Sequence, residues 1–392
     1  MSTVNSESTD VIIIGAGVAG SSAAYDLANA DLKVLVLEKQ KLPRYKTCGG
    51  GVVLRAINLL PFEITPVAQK VIYSADVYDQ ENNLKFLIKS DTPMIRFVMR
   101  ADLDNYILSK ALGKGAKVYD QTEVKAVSVA KNKVNIETEK KTFTANYVIA
   151  ADGATGFSIT HFKLNQQVVR VPAIESEITV DEKTFSKFKD VTRFDFGFVP
   201  HGYGWVFPKR DHLSIGVAFM KKVNQSIQTW FKKYLNLLEI RTENILKEQK
   251  HGYVIPLIRG KINCCKGRIL FAGDTLGFAD PLTAEGISYA VETGRLAAKA
   301  IMNYHRNFRE VVNNYSRSIT DVHKEIKAAK FLSEVVYGPL WLRKFIFKRY
   351  GKRLSELLAD VITEKKKYSE MVKDPLNYLK LFRLEYLLNS KR

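Results

Sequence analysis

The first apolar run, Val11–Ile14, is β-branched throughout and is broken off by Gly15, Gly17 and Gly20. That pattern predicts a strand, a tight turn and a helix over residues 21–29. Residues 33–37 (KVLVL) predict a second buried strand, which ends in Glu38. Residues 72–89 alternate as short antiparallel strands. Residues 96–115 read as a strand entering a helix, with Leu103, Ile107, Leu108 and Ala111 on one face and Asp102 in its first turn. A small β-meander is expected over 117–119, 123–129, 133–139 and 141–144, feeding a buried strand at 146–153. From 171 to 253 the alternating segments lengthen, including 192–198, 205–207 and 213–219, and predict an antiparallel sheet in a second domain. A third buried strand at 268–273 precedes an alanine-rich helix at 284–301, opened by Pro281, Thr283 and Gly286.

The glycine spacing has a chemical meaning. Gly15 permits the tight turn, Gly17 leaves room for a pyrophosphate, and Gly20 lets the helix lie close to the sheet. The helix start presents unpaired N–H groups to phosphate oxygens. Glu38 stands where a carboxylate accepts ribose hydroxyls and repels a 2′-phosphate, which favours FAD or NAD over NADP. Asp152 with Gly153, and Asp274, end further strands where an α/β sheet binds ligands. Arg100 stands within reach of phosphates, and Gly49–Gly51 forms a loop where backbone passes close to another group. There is one GxGxxG and no second, so a separate nicotinamide domain is not indicated.

Composition narrows the class. With 392 residues and 46% hydrophobic positions the chain builds a large core and is not disordered. Three cysteines, Cys48, Cys264 and Cys265, make no disulfide framework and fit a reducing cytoplasm. The polar start MSTVNSEST lacks a signal-peptide pattern, no apolar stretch is long enough to span a bilayer, and no metal-ligand spacing stands out. A net charge of +19 indicates an anionic partner, whether a membrane surface, nucleic acid or an acidic protein. No nucleic-acid motif accompanies it, so nucleic acid ranks last. Near the C-terminus Trp341, Leu342, Phe345, Ile346 and Phe347 interleave with Arg343, Lys344, Lys348, Arg349, Lys352 and Arg353. Such a helix suits an anionic bilayer, or packs its apolar side on the nucleotide-binding domain.

VIIIGAGVAG with Glu38, Arg100, ADG at 151–153 and ILFAGDTLGFADPLTAEGI at 269–287 together resemble the flavoproteins of the para-hydroxybenzoate hydroxylase fold. PRYKTCGGGV and PHGYGWVFPK further resemble the geranylgeranyl reductase family, with two departures. Gly216-Val217-Ala218 stands where the signature continues to Gly-x-Gly, and the arginine many hydroxylases of this fold carry after Gly153 is missing. The resemblance implies an α/β fold with a Rossmann-like, three-layer FAD-binding domain on a parallel sheet (10–60, 96–160 and 265–305). An antiparallel substrate domain (61–95 and 170–262) and a helical C-terminal region (306–392) complete it. Gly15, Gly17, Ala19, Gly20, Glu38, Lys39, Arg44, Arg100, Asp152, Gly153, Asp274, Gly286 and Ile287 would hold FAD. Cys48, Gly49 and Gly50 would lie over the isoalloxazine, and Tyr203, Trp205, Phe207 and Pro208 would line a lipid tunnel.

The activity so implied is reduction of isoprenoid carbon–carbon double bonds on a lipid or quinone, with Cys48 or Tyr203 relaying the proton. NAD(P)H or a ferredoxin-like protein would supply electrons, and the protein would sit peripherally on the membrane from the cytoplasmic side. Rival readings are a flavin-dependent monooxygenase or halogenase of the same fold, and a non-catalytic flavin-bearing membrane- or nucleic-acid-binding protein.

Overall fold

The computed structural model describes residues 7–130, 132–164 and 168–373. Its organising layer is a sheet with five parallel strands in the order Ile269–Phe271, Thr142–Ala150, Glu7–Ile14, Val34–Leu37 and Lys117–Tyr119. Such strands are buried on both faces, which is why they read as unbroken apolar runs. The register pairs Ile14 with both Leu37 and Ala150, and Ala150 with Phe271. Four strands therefore end level, and Gly15, Glu38, Ala151 and Ala272 emerge along one edge. That edge is the crevice at the carboxyl ends where doubly wound sheets bind ligands.

Helices Val18–Asn29 and Ile287–Tyr304 cross close together over this sheet. A Cβ on Gly294 would stand 2.2 Å from the Ala19 carbonyl oxygen, so only glycine allows the approach. The long helix Phe308–Val336 packs outside Ile287–Tyr304, burying Val311, Tyr315, Ile319 and Ile326 in the same core.

A second sheet has seven strands, ordered Ile245–Ile258, Val168–Val180, Leu213–Phe219, Gly202–Pro208, Arg193–Phe196, Ser74–Asp79 and Leu84–Lys89. All its pairings are antiparallel except Arg193–Phe196 with Ser74–Asp79. Period-two alternation sends Ile215, Val217 and Val206 to one face, with helix Ile227–Leu237. It sends Tyr203, Trp205 and Ala218 to the other, facing the glycine-turn unit. Gly51–Val53, Ile95–Val98 and Ala68–Ile72 form a small third sheet.

Several expectations shift. The first helix starts at Val18, not Ser21, because Gly17 already serves as its N-cap. Lys117–Tyr119 leaves the expected meander and joins the parallel sheet beside Val34–Leu37. Arg100 is the first residue of its helix, and Gly51 opens a strand instead of closing a loop. The later helix begins at Ile287, because Ala284 has φ +60° and the chain turns there before the helix can start.

At the C-terminal end, helix Leu340–Ile362 packs on the seven-stranded sheet, where Gly351 abuts Phe86 and Arg343 pairs with Glu81. Arg343 and Phe347, read from the sequence as part of a surface mixture, are buried, whereas Leu340, Trp341 and Phe345 are exposed. No helix among the described residues is long and apolar enough to cross a membrane. The end of the expected C-terminal region, 374–392, lies outside the described residues.

Candidate functional site

Gly15 is the tightest point of the crevice. Its φ is +100°, and a Cβ there would lie 2.5 Å from the Ala151 carbonyl oxygen. A Cβ on Gly20 would likewise lie 2.0 Å from the Gly15 carbonyl oxygen. Gly17 differs, because its added Cβ would meet nothing closer than Arg44 Nη2 at 3.3 Å. The helix behind it has no side-chain cap, so its first-turn N–H groups face the crevice. Ala19 is buried in that turn. This is a cradle for an anionic diphosphate, held open by glycine.

Around the cradle runs a chain of alternating charges. Glu38 accepts from the Ala16 amide at 3.0 Å and pairs with Arg44 at 3.2 Å; Arg44 pairs with Asp104 at 3.1 Å. Asp104 in turn accepts two bonds from the buried Arg100, at 2.9 and 3.0 Å. Burial works against the Arg100 charge, but Asp104 outweighs it and holds the guanidinium charged, with Cys48 as a further neighbour. Arg100 thus acts on this region through Asp104 and Cys48. Lys39 faces solvent. Lys46, not singled out in the sequence, pairs with Asp274 at 3.3 Å and lies over the Tyr253 ring. Gly286, which caps helix Ile287–Tyr304, lies next to Asp274: its added Cβ would stand 3.4 Å from Asp274 Oδ1. Asp274, Gly286 and Ile287 are therefore brought together at one helix start.

Asp152 is tied to its own protein neighbours. Its carboxylate accepts from the Ser158 amide at 2.8 Å and the Thr275 hydroxyl at 3.3 Å, while the Gly153 amide donates to Thr275 Oγ1. Both oxygens thus join two turns within the protein.

The loop after Glu38 lies against the aromatic strand Gly202–Pro208. Phe207 stacks on Phe97 at 4.7 Å, and Trp205 and Tyr203 continue the row at 6.0 and 5.8 Å. A Cβ on Gly49 would be 2.8 Å from Phe207 and 3.1 Å from Trp205 Nε1. One on Gly50, at φ +73°, would be 2.0 Å from the Val98 carbonyl oxygen. What the glycines pass so closely is the aromatic strand and its neighbour. Cys48 is half-buried in this loop and accepts from the Gly50 amide through Sγ at 3.4 Å. The Tyr203 hydroxyl donates to the Thr283 carbonyl at 2.6 Å, and burial raises its pKa. Its hydroxyl is thus engaged with that carbonyl. Pro208 ends the strand, buried. Trp205 is 6% exposed, and its indole N–H is buried without a partner. That donor is free to meet an acceptor on a bound ligand. Gly216, on the adjacent strand, gives the Trp205 ring its space: a Cβ there would lie 2.1 Å from it.

Sequence reading also missed Asp104, Lys209, Glu175 and Glu177. Asp104 had a signal, standing four residues after Arg100 on a helix. The glutamates had one as well, alternating within the apolar run VVRVPAIESEITV. Lys209 is wholly buried and donates from Nζ to the carbonyls of Gly49 and Val98, at 2.8 and 2.7 Å.

A family model described as an FAD binding domain matches residues 8–327. The chain is 31% identical over 337 residues to an uncharacterized protein of Methanosarcina barkeri, covering 84% of each. It is 29% identical over 368 residues to digeranylgeranylglycerophospholipid reductase 3 of Methanosphaera stadtmanae, covering 86% of this chain and 88% of that one. Two solved structures share the fold. A geranylgeranyl bacteriochlorophyll reductase-like protein from Thermoplasma acidophilum gives a TM-score of 0.79 at 20% identity, over 98% of this chain and 100% of that one. Halogenase PltM, solved with phloroglucinol and FAD, gives 0.68 at 17% identity, over 91% and 83%.

Proposed function

This chain belongs to the family of that FAD binding domain and takes FAD as its cofactor, and we propose that it reduces carbon–carbon double bonds of an isoprenoid chain carried by a lipid or quinone. The observation that carries this reading is the row Phe207, Trp205 and Tyr203 lying against the Cys48 loop. Aromatic side chains at that position offer a large uncharged surface suited to a polyprenyl chain, with one unmet N–H for a polar group. Relatives named as reductases of digeranylgeranylglycerophospholipid support the substrate class.

In this reading the Gly15–Gly20 turn and its helix start hold the FAD diphosphate, and Glu38 holds the adenosine ribose. Arg44, Lys46 and Arg100 balance the diphosphate charge, while Asp274, Gly286 and Ile287 border the ribityl and pyrimidine side. FAD, when bound and reduced, supplies the electrons for saturation. The protein orients the alkene, excludes water and delivers a proton. Cys48 is the thiol nearest that task, held in place by the Gly50 amide. Its electron source is a nicotinamide or a ferredoxin-like protein.

Membrane association is part of the same reading. Leu340, Trp341 and Phe345 are exposed on one helix together with Lys344, Lys348 and Arg349, an arrangement suited to an anionic bilayer surface.

The test is anaerobic. Reduced protein is mixed with geranylgeranyl lipid, and flavin absorbance and lipid mass are followed. Flavin reoxidation with lipid mass rising in steps of two hydrogens supports the proposal. Reoxidation only on admitting air, with lipid unchanged, overturns it in favour of an oxygen-using activity.

A further inference from the structure

The inner face of the seven-stranded sheet carries a buried acidic cluster beside the aromatic row. Glu175 and Glu177 are in register with Gly216 and Ser214, and through them with Trp205 and Phe207. They are only 1% and 7% exposed, and their carboxyl groups hydrogen-bond each other. Glu175 also accepts from the Tyr45 hydroxyl at 2.8 Å and from Ser214 at 3.2 Å. Glu177 Oε2 lies 3.1 Å from His212 Nε2, and His212 Nδ1 lies 2.7 Å from the exposed carboxylate of Asp211. Polar side chains thus follow one another from solvent, at Asp211, to Tyr45, three residues before Cys48; the Glu177–His212 link is an ion-pair contact whose two facing atoms are not aligned as a hydrogen bond, so a proton crosses it only when the imidazole turns. Further titratable groups that face this run among the described residues are Lys209, buried beside both glutamates, His251, whose ring is 4.2 Å from that of Tyr45, Cys48 near Tyr45, and Arg210 near Asp211.

Two adjacent carboxyl groups in a dry site do not both ionise readily. Burial, reinforced by Glu177, pushes the Glu175 carboxyl up to about 8. Burial opposes the Glu177 charge as well, but His212 and Lys209 hold that carboxyl below its ordinary value. Burial likewise opposes the His212 charge, and Glu177 with Asp211 outweigh it, so the imidazole keeps its proton to higher pH. Near neutrality a proton therefore rests on Glu175, with an acceptor on its outward side. Burying such a run costs stability that an apolar filling would not, so the fold alone does not account for it.

Resting on the reductase reading, we propose that His212, Glu177, Glu175 and Tyr45 conduct protons from solvent to the Cys48 loop and so supply the proton taken up in alkene saturation. At rest the Tyr45 hydroxyl donates to Glu175, and burial together with Glu175 holds its proton tightly, so the hydroxyl first turns to the pocket and then releases its proton there in the same step in which Glu175 replaces it. Glu177 passes the next proton to Glu175, and His212, reprotonated from water, restores Glu177. One proton enters per double bond, the electrons come from reduced flavin, and every group of the chain returns to its starting state.

The test uses the FAD-loaded protein with Glu175→Gln and His212→Ala variants, whose FAD content and melting are checked first. Infrared difference spectra, reduced minus oxidised, are expected to show a carboxylic C=O band that titrates near 8, shifts on flavin reduction and is absent from Glu175→Gln. In anaerobic single turnover both variants are expected to slow alkene-driven reoxidation by about tenfold or more, and imidazole to restore His212→Ala. Rates within about twofold of the parent protein in both variants overturn the proposal. If the parent itself never reoxidises with an isoprenoid, the reductase reading fails instead. The infrared band then decides the conduit alone: a band unmoved by flavin reduction rejects it, and a shifting band that Glu175→Gln abolishes retains it.

Discussion

Lys209 Nζ donates to the Gly49 carbonyl at 2.8 Å, tying the end of the aromatic strand to the loop that carries Cys48. The ammonium is wholly buried, and burial lowers its pKa while Glu177, Cys48 and Glu175 hold it up. Replacing it with methionine leaves the carbonyls of Gly49 and Val98 without their donor. Lys209→Met is expected to lower stability by about 1–3 kcal/mol, read from urea unfolding, and to raise the flavin's exposure to an external quencher. An unchanged quenching constant would show that the loop is fixed by other contacts.

Two glycines of one turn separate folding from binding. Gly15→Ala forces a Cβ to within 2.5 Å of the Ala151 carbonyl oxygen, at a φ that disfavours side chains. Gly17→Val places its Cβ near the side-chain ends of Arg44, at 3.3 Å, and Asp104, at 4.0 Å, with no backbone in the way, but fills the space in front of the helix start. Thermal unfolding of apoprotein is expected to fall by several degrees for Gly15→Ala and little for Gly17→Val, while only the second keeps a stable fold without retaining FAD. Normal FAD content in Gly17→Val, by flavin absorbance, would place the diphosphate elsewhere.

Gly216 sets the position of Trp205. Gly216→Ala puts a Cβ 2.1 Å from the indole and 2.5 Å from the Ile174 carbonyl oxygen, so the ring must move. The expected result is at least about a tenfold loss of alkene-dependent reoxidation with FAD retained, accompanied by changed tryptophan fluorescence. Unaltered fluorescence and rate together would rule out this constraint.

Glu175 makes stability depend on pH. Its folded-state pKa is raised to about 8 against an ordinary 4.5, so the folded protein holds a proton that the unfolded chain releases. Its contribution is therefore most favourable below about 4.5 and declines as pH rises towards about 8. Glu175→Gln is expected to gain on the parent protein across that window, measured as urea midpoints in a pH series. A constant difference between the two would mean that Glu175 titrates like an exposed carboxyl.

Trp341 and Phe345 are 72% and 54% exposed beside several basic side chains. Replacing both with serine is expected to weaken co-sedimentation with anionic vesicles by about tenfold and to leave melting unchanged, since neither supports the core. Equal binding by parent and variant would move the membrane contact elsewhere.

The sequence by itself determined the nucleotide turn, because the constraints there are local: an unbroken apolar run makes a buried parallel strand, and glycines at fixed spacing make the only backbone that turns so sharply beside a phosphate. It also determined that a second unit of alternating strands presents an aromatic stretch, and placed Glu38 at a strand end. Tertiary structure decided what lies opposite what. The register that levels Gly15, Glu38 and Ala272 depends on strands more than two hundred residues apart, and no local pattern records it. The same holds for Asp152, whose carboxylate is taken up by Ser158 and Thr275, and for Lys209, whose burial follows only from its strand meeting the Gly49 loop. Burial of a charge is a property of the assembled sheets, and so the altered protonation of Glu175 and Lys209 followed from tertiary structure alone, even though the alternation of the glutamates within an apolar run had marked their positions.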